Sequence, residues 1–170
     1  TLTLEDLEHC DFVMLLGGNP SSNHPRLMTI LNHVRGRGGK VVVVNPCREI
    51  GLVRFRIPSN WKSMLFGSKI SDEYVQPHIG GDIAFLTGVA KYVVEHGAVD
   101  REFVEKYSAG GAEFEGWAQR ISWEEIVACS GVAREQIERA AEMYARSRNA
   151  VFCWAMGITH HEHGVDNVRM

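Results

Sequence analysis

Three short glycine-containing stretches hold most of the residues that could do chemistry. The first is Gly17-Gly18-Asn19-Pro20, directly after the apolar run Phe12–Leu16 and followed by a Ser/Asn cluster, His24 and Pro25. The second is Gly80-Gly81-Asp82, and the third opens at Gly157, with Ile158 and Thr159 behind it. Glycine tolerates positive φ and lets another group come close to the main chain. A helix starting just past such a turn aims its free N–H groups back at it, which makes a seat for an anion. The same residues also suit ordinary strand-to-helix loops, and a single short glycine motif decides little. The recurrence of strand, glycine and helix carries more weight than any one copy.

Other residues with chemical potential are sparser. Cys47 follows Asn45-Pro46 just past a strand end; with no base near it in sequence, a small buried side chain is expected there rather than a reactive thiol. His160-His161-Glu162-His163 invites a metal assignment, but consecutive residues point in different directions, so no metal site is expected. The cysteines (Cys10, Cys47, Cys129, Cys153) contain no C-x-x-C pair and fit neither a zinc nor an iron–sulfur site. They read as small hydrophobes in a reducing, cytoplasmic setting.

The elements that must position these residues are legible from apolar spacing. Phe12–Leu16 and Lys40–Val44 read as parallel strands buried on both faces, the second carrying four consecutive valines. Leu27, Ile30, Leu31 and Val34 recur at helical spacing between them, and Gly36-Arg-Gly-Gly39 ends that helix. Thr3 with Asp6 forms a capping box, as does Ser122 with Glu125. Residues 49–72 have no clear period: Pro58-Ser-Asn60 and Gly67-Ser68 interrupt apolar Phe55, Ile57, Trp61, Met64, Leu65 and Phe66. This excursion is either an interaction surface or a loop folded back on the domain. Glu73–Ile79 reads as a strand placed at an edge by Pro77. Helices follow from Ile83 to about Gly97, after Asp100, from Ser122 to Gly131 and from Ala133 to Arg146, and Ala150–Met156 is a final buried strand. Asp166 and Asn167 are expected to cap a terminal helix carrying Arg169. The fold class is therefore α/β, a Rossmann-like parallel sheet with helices on both faces, forming one domain over residues 1–170.

Bulk properties agree. The 170 residues are 45% hydrophobic and 23% charged, enough for a real core, and net charge is −3. No basic stripe suggests nucleic acid, and no apolar run is long enough to span a membrane. The chain begins Thr-Leu-Thr and ends Asn-Val-Arg-Met, which reads as a piece of a longer protein.

With the turns placed, the sequence resembles the large catalytic subunits of the molybdopterin oxidoreductases, in the formate dehydrogenase-like branch. The residues that carry the resemblance are Leu16-Gly-Gly-Asn-Pro20 with His24-Pro25, Val43-Val44-Asn45-Pro46, Gly80-Gly-Asp82, and Trp154–Thr159 through Gly164-Val-Asp-Asn-Val-Arg169. The last is the most specific, and the order covers nearly the whole chain. The resemblance implies the domain that grips one of two molybdopterin guanine dinucleotides of a bis(molybdopterin guanine dinucleotide) molybdenum cofactor. It places Gly18, Asn19, Pro20 and His24 beside the dinucleotide. Asn45, with Pro46 and Cys47, would meet the ribose, and Gly81 and Asp82 the guanine. Gly157, Ile158 and Thr159 would lie at the pterin end, and Arg169 beside metal and substrate. It also implies a 4Fe-4S cluster and any Cys or selenocysteine metal ligand outside this chain, with no metal ligand inside it. Formate or a similar small anion is the implied substrate. The electron-transfer partner stays open, as does the choice between molybdenum and tungsten. The isolated segment is expected to be inactive.

Two departures stand out. The family usually has Asp-Pro-Arg where this chain has Asn45-Pro46-Cys47, and the excursion from Cys47 to Ser71 is longer than usual, the mark of a divergent sub-branch. Rival readings are a nucleotide-binding module such as the central domain of thiamine-diphosphate enzymes, and a non-catalytic scaffold whose excursion binds a partner.

Overall fold

The computed structural model describes residues 2–58 and 60–170; Thr1 and Ser59, the latter in the Pro58–Asn60 interruption, lie outside the described residues. A capping box between Thr3 and Asp6 starts α1 (Leu4–Glu8), which leads into β1 (Phe12–Leu16). The glycine turn after β1 contains a short helix not read from the sequence, α2 (Pro20–Asn23), with Pro20 at its first position, where a missing N–H costs nothing. Then come α3 (Pro25–Gly36) and β2 (Lys40–Val44), joined through Gly38 at positive φ.

The excursion is folded rather than irregular. It holds α4 (Ile50–Val53), β3 (Arg54–Phe55), α5 (Trp61–Phe66) and β4 (Ser68–Lys69), with β3 and β4 paired antiparallel. Leu52, Ile57 and Ile70 are fully buried beneath it. Buried Ser63 ties it together, its hydroxyl accepting from the Ile57 N–H and donating to the Phe55 carbonyl. The excursion folds back on the chain, yet its helix turns Trp61, Leu65 and Phe66 to solvent.

β5 (Glu73–Val75) is shorter than expected and lies at the sheet edge, with Pro77 just beyond it. It is followed by α6 (Asp82–Glu95), α7 (Arg101–Tyr107), α8 (Gly111–Arg120), α9 (Trp123–Ser130) and α10 (Arg134–Ala145). β6 (Ala150–Trp154), α11 (Met156–Thr159) and α12 (Gly164–Arg169) complete the chain.

β5, β2, β1 and β6 form one four-stranded sheet in that order, every pair parallel. Central β1 is in register with both neighbours, Leu16 lying opposite Val44 on one side and Trp154 on the other. Side chains alternate between the faces. Phe12, Met14 and Leu16 pack with α6, α9 and α10, while Val13 and Leu15 pack with α1, α3 and α4. The two faces are covered, as a parallel sheet requires.

β6 departs from expectation. It is the other edge strand, only half-buried, and Trp154 is exposed. Its flank opens on an apolar groove of about 690 Å³ between α6, α7 and α8, lined among others by Val89, Phe103, Phe114 and Phe152. An apolar run of five reads the same for an edge strand as for a central one.

Candidate functional site

Because all four strands run the same way, the segments leaving Leu16, Val44, Val75 and Trp154 emerge on one rim of the sheet. The order β5-β2-β1-β6 also fixes a switch point between β1 and β6. The chain moves outward from β1 through β2 to β5, then returns to the far side of β1. In open α/β sheets, ligands bind outside the carboxyl ends of the strands at such a point.

Two of the glycine stretches meet there. The Ala155 N–H donates to the Leu16 carbonyl and the Gly157 N–H to the Gly17 carbonyl, each at 3.1 Å, so the β1–β6 pairing runs on past both strands. Gly17 has φ +58°, and a Cβ on it would lie 2.9 Å from the Gly157 carbonyl carbon. Gly157 does not open a loop as expected; it sits inside the short helix α11, without positive φ. Its lack of a side chain is explained by Gly17, whose oxygen a Cβ would approach to 2.7 Å. These two glycines fit each other before they fit any ligand.

The turn after β2 is held to the turn after β1. Asn45 Oδ1 accepts from the Cys47 N–H at 3.0 Å, and Asn45 Nδ2 donates to the Gly18 carbonyl at 3.5 Å. Tyr74 spans the same turn, its hydroxyl donating to the Cys47 carbonyl and accepting from the Glu49 N–H. Cys47 itself is exposed, not buried as expected, because this turn stands clear of the sheet. Cys129 is exposed as well, so only Cys10 and Cys153 behave as interior hydrophobes, and burial pushes both thiols up. Asn19 Oδ1 accepts from the Ser21 hydroxyl, Pro20 is buried, and exposed His24 pairs through Nδ1 with Asn23 Oδ1.

Asp82 is the unusual group of the rim. It is the first residue of α6, only 7% exposed, and none of the ion pairs among the described residues includes it. Burial pushes its carboxyl above the usual range; the charge of His161 and its own main-chain N–H oppose that without cancelling it. Gly81 is walled by the Ser130 and Cys129 carbonyls, which leave no room for a Cβ. His161 comes from the segment between α11 and α12, and its ring lies against Gly80: a Cβ there would be 3.6 Å from His161 Cε1. The end of α9, the Gly80-Gly81-Asp82 turn and the segment after α11 therefore come together.

An unpartnered buried acceptor lies close to the switch point. Asn167 is 4% exposed; its Nδ2 donates to the Ile158 carbonyl at 3.1 Å, and its Oδ1 has no partner. It lines a cavity of about 280 Å³ with Leu16, Trp154 and Ile158. Asp166 and Asn167 lie inside α12 instead of capping it. Arg169 projects outward, its side chain 77% exposed and 3.7 Å from Asp166. Thr159 is also exposed.

A family model described as molybdopterin oxidoreductase matches residues 1–170, the whole chain. The chain belongs to the molybdopterin oxidoreductase family. An uncharacterised oxidoreductase of Mycobacterium tuberculosis is 35% identical over 178 residues, which cover 99% of this chain and 22% of that protein. Formate dehydrogenase H of Escherichia coli is 26% identical over 166 residues, covering 98% of this chain and 21% of its own length. Among solved structures, acetylene hydratase from Pelobacter acetylenicus superimposes with a TM-score of 0.71 at 22% identity, over 88% of this chain and 18% of that one. The chain thus spans about a fifth of the length of these relatives.

Membership in the molybdopterin oxidoreductase family gives the rim a chemical test. Asp82 is a buried carboxylate outside every ion pair among the described residues, and Asn167 Oδ1 is a buried acceptor without a partner. Both fit a group that brings N–H donors, as a guanine or a pterin does. Among the described residues, no cluster of three or more His, Cys, Asp or Glu is placed to hold a metal ion. Of the residues chosen from the sequence, Gly18 and Asn45 are in direct contact, and Gly157 and Ile158 pack on the Gly17 turn. His161 was missed as a neighbour of the Gly80 turn. Nothing in its spacing signals the contact, which depends on how α11 returns across the Gly80 turn.

Proposed function

We propose that this chain is the dinucleotide-gripping part of a molybdenum-dependent, formate dehydrogenase-like oxidoreductase. The observation that carries the reading is the buried, unpaired Asp82 on the same rim as the Gly17–Gly157 switch point. An ionised carboxylate accepts from two adjacent donors at once, and guanine offers the ring N–H and the exocyclic amine side by side. Asp82, with Gly81, holds the guanine edge. Gly18, Asn19 and Pro20 present main chain to the pyrophosphate at the start of α2, with His24 at the junction of α2 and α3. Asn45, Pro46 and Cys47 form the turn beside the ribose. Gly157, Ile158 and Thr159 meet the pterin end.

When bound, the bis(molybdopterin guanine dinucleotide) group supplies two-electron redox chemistry; this chain supplies binding, orientation and electrostatics. Arg169 offers a planar cation to a small anionic substrate such as formate, and this role requires the exposed guanidinium to be covered in the full-length protein. In the full-length protein, assigned to the cytoplasm, a 4Fe-4S cluster beyond this chain would supply electron transfer.

Metal and nucleotide analysis of the full-length protein tests the reading. Molybdenum or tungsten, with guanine nucleotide released on denaturation, is the expected result. A folded full-length protein that carries neither sinks it in favour of a non-catalytic scaffold.

A further inference from the structure

β6 has the sequence of a buried strand and the position of an edge strand. Ala150-Val-Phe-Cys-Trp154 carries no charge, yet the strand is only half-buried and pairs on one side alone, with β1. The Ala155 N–H donates to the Leu16 carbonyl, and the Asn149 carbonyl accepts from the Asp11 N–H, so both face β1. Main-chain groups alternate sides along a strand, so those of Ala150, Phe152 and Trp154 face away from β1. Among the described residues, none of these three makes a main-chain hydrogen bond on that outer side. Two apolar hollows lie along the same edge. The groove of about 690 Å³ reaches Ala150 and Phe152, the cavity of about 280 Å³ reaches Phe152 and Trp154, and the two share Leu86, Tyr144 and Phe152. Together they make one trough beside the open edge. We propose that a β-strand of the same polypeptide, from outside residues 1–170, completes this edge in the full-length protein. It pairs with the outward main chain of Ala150, Phe152 and Trp154 and lays apolar side chains into the trough. Such a strand is called for whatever ligand the carboxyl rim takes.

The two edges of the sheet differ in how they meet water. β5 is three residues long with Pro77 just beyond it, and its Glu73 carboxylate accepts from Gln136 and Arg139. A short strand, a charge and a nearby proline are what keep a free edge from pairing. β6 is five residues long and has neither charge nor proline, so nothing in it discourages a further strand. Strands of parallel sheets are covered on both faces, and β6 is not. A small apolar molecule would fill the trough but leave the outward N–H and C=O groups without partners, whereas an extended chain segment satisfies both needs at once. Length decides whose segment it is. This chain spans about a fifth of its relatives, so most of a full-length protein lies outside it. A strand tethered on the same polypeptide docks at a high effective concentration and avoids the association cost that a separate partner meets.

Amide hydrogen exchange of the full-length protein, read residue by residue along β6, is the test. The Val151 and Cys153 N–H groups face β1 and serve as internal controls, protected whether or not the outer edge is covered. Phe152 and Trp154 are expected to exchange within about tenfold of those controls, because a paired amide is released only when its strand opens. That protection is also expected to be independent of protein concentration. If Phe152 and Trp154 exchange faster than Val151 and Cys153 by more than about tenfold, protection alternates along the strand and the edge is unpaired; the added strand is then overturned. Protection that disappears on dilution, as the mass in solution falls from dimer to monomer, overturns it as well, because the strand then comes from a second copy of the protein.

Discussion

Two carboxylates at opposite ends of one sheet are treated in opposite ways. Asp72, just before β5 at the amino rim, accepts from Arg35 Nε and Nη2 and from the Val41 N–H, all at 3.0 Å. Burial works against its charge, but the Arg35 hydrogen bonds, the Val41 N–H and the guanidinium charge outweigh burial and hold its carboxyl below the usual range. Asp11, also at that rim, accepts from the Arg148 and Asn149 N–H groups. Asp82 at the carboxyl rim is more buried than Asp72 and has no such partner, so its carboxyl is pushed up. The carboxylates at the amino rim are matched by donors from the chain, whereas Asp82 takes part in no ion pair among the described residues. This difference is the physical ground for the ligand-binding role proposed for Asp82.

The largest effect expected from a single change tests how firmly the carboxyl rim is built. Gly17→Ala places a Cβ at positive φ against the Gly157 and Ile158 main chain and is expected to cost about 2–4 kcal/mol in unfolding of the full-length protein. A near-neutral result would mean that the two turns can move apart, and that Asp82 stands on a loose support. Next in size is Asp72→Asn, which leaves Arg35 without its anion and is expected to cost about 2 kcal/mol near neutrality. Its folded pKa is depressed, so its contribution is present above the unfolded carboxylate pKa and disappears as pH falls through the folded value. The penalty of Asp72→Asn should shrink along that limb, measured as melting temperature against pH.

Asp82→Asn is expected to do the reverse. With a raised folded pKa, Asp82 favours folding below its unfolded pKa and loses that contribution as pH rises through the folded value. Removing the charge should therefore leave the ligand-free protein equally stable in acid and more stable by up to about 1 kcal/mol near neutrality. If Asp82→Asn destabilises at neutral pH as Asp72→Asn does, the two carboxylates are alike and the contrast between the rims is lost.

The parts of this arrangement visible in the sequence are those that depend on local pattern. Lys40–Val44 and Phe12–Leu16 read as buried strands because their apolar runs allow little else, and parallel strands put the glycine turns on one rim. Capping residues marked α1, α7 and α9 correctly. What escaped depends on long-range contacts or very short elements. β3 and β4 have two residues each and no period to detect. α8 begins at Gly111 behind a left-handed Gly110, a pair that reads as a break. The exposure of Cys47 and of β6 follows from which neighbours they lack, and the seat of His161 follows from the return of α11. At the site, the chain pattern showed which residues share the rim, but not that Gly17 and Gly157 are mutually fitted, nor that Asp82 stands unpaired.

The smallest expected effect bears on the departure from the family pattern at Asn45. Its Oδ1 holds the turn by accepting from the Cys47 N–H, and an aspartate can do that at least as well. Its Nδ2 reaches the Gly18 carbonyl at 3.5 Å, a length at which a hydrogen bond contributes little. Asn45→Asp gives up that weak donor and sets a second anion on the rim that already carries Asp82. Stability should change by no more than about 0.5 kcal/mol, and GDP affinity should fall by less than about threefold. Effects of that size identify Asn45 as a turn-former that tolerates either side chain. A cost near that of Asp72→Asn would instead make the Asn45–Gly18 contact a structural clasp. The carboxyl rim would then be held by polar side chains much as the amino rim is, and Asp82 would lose its standing as the exception.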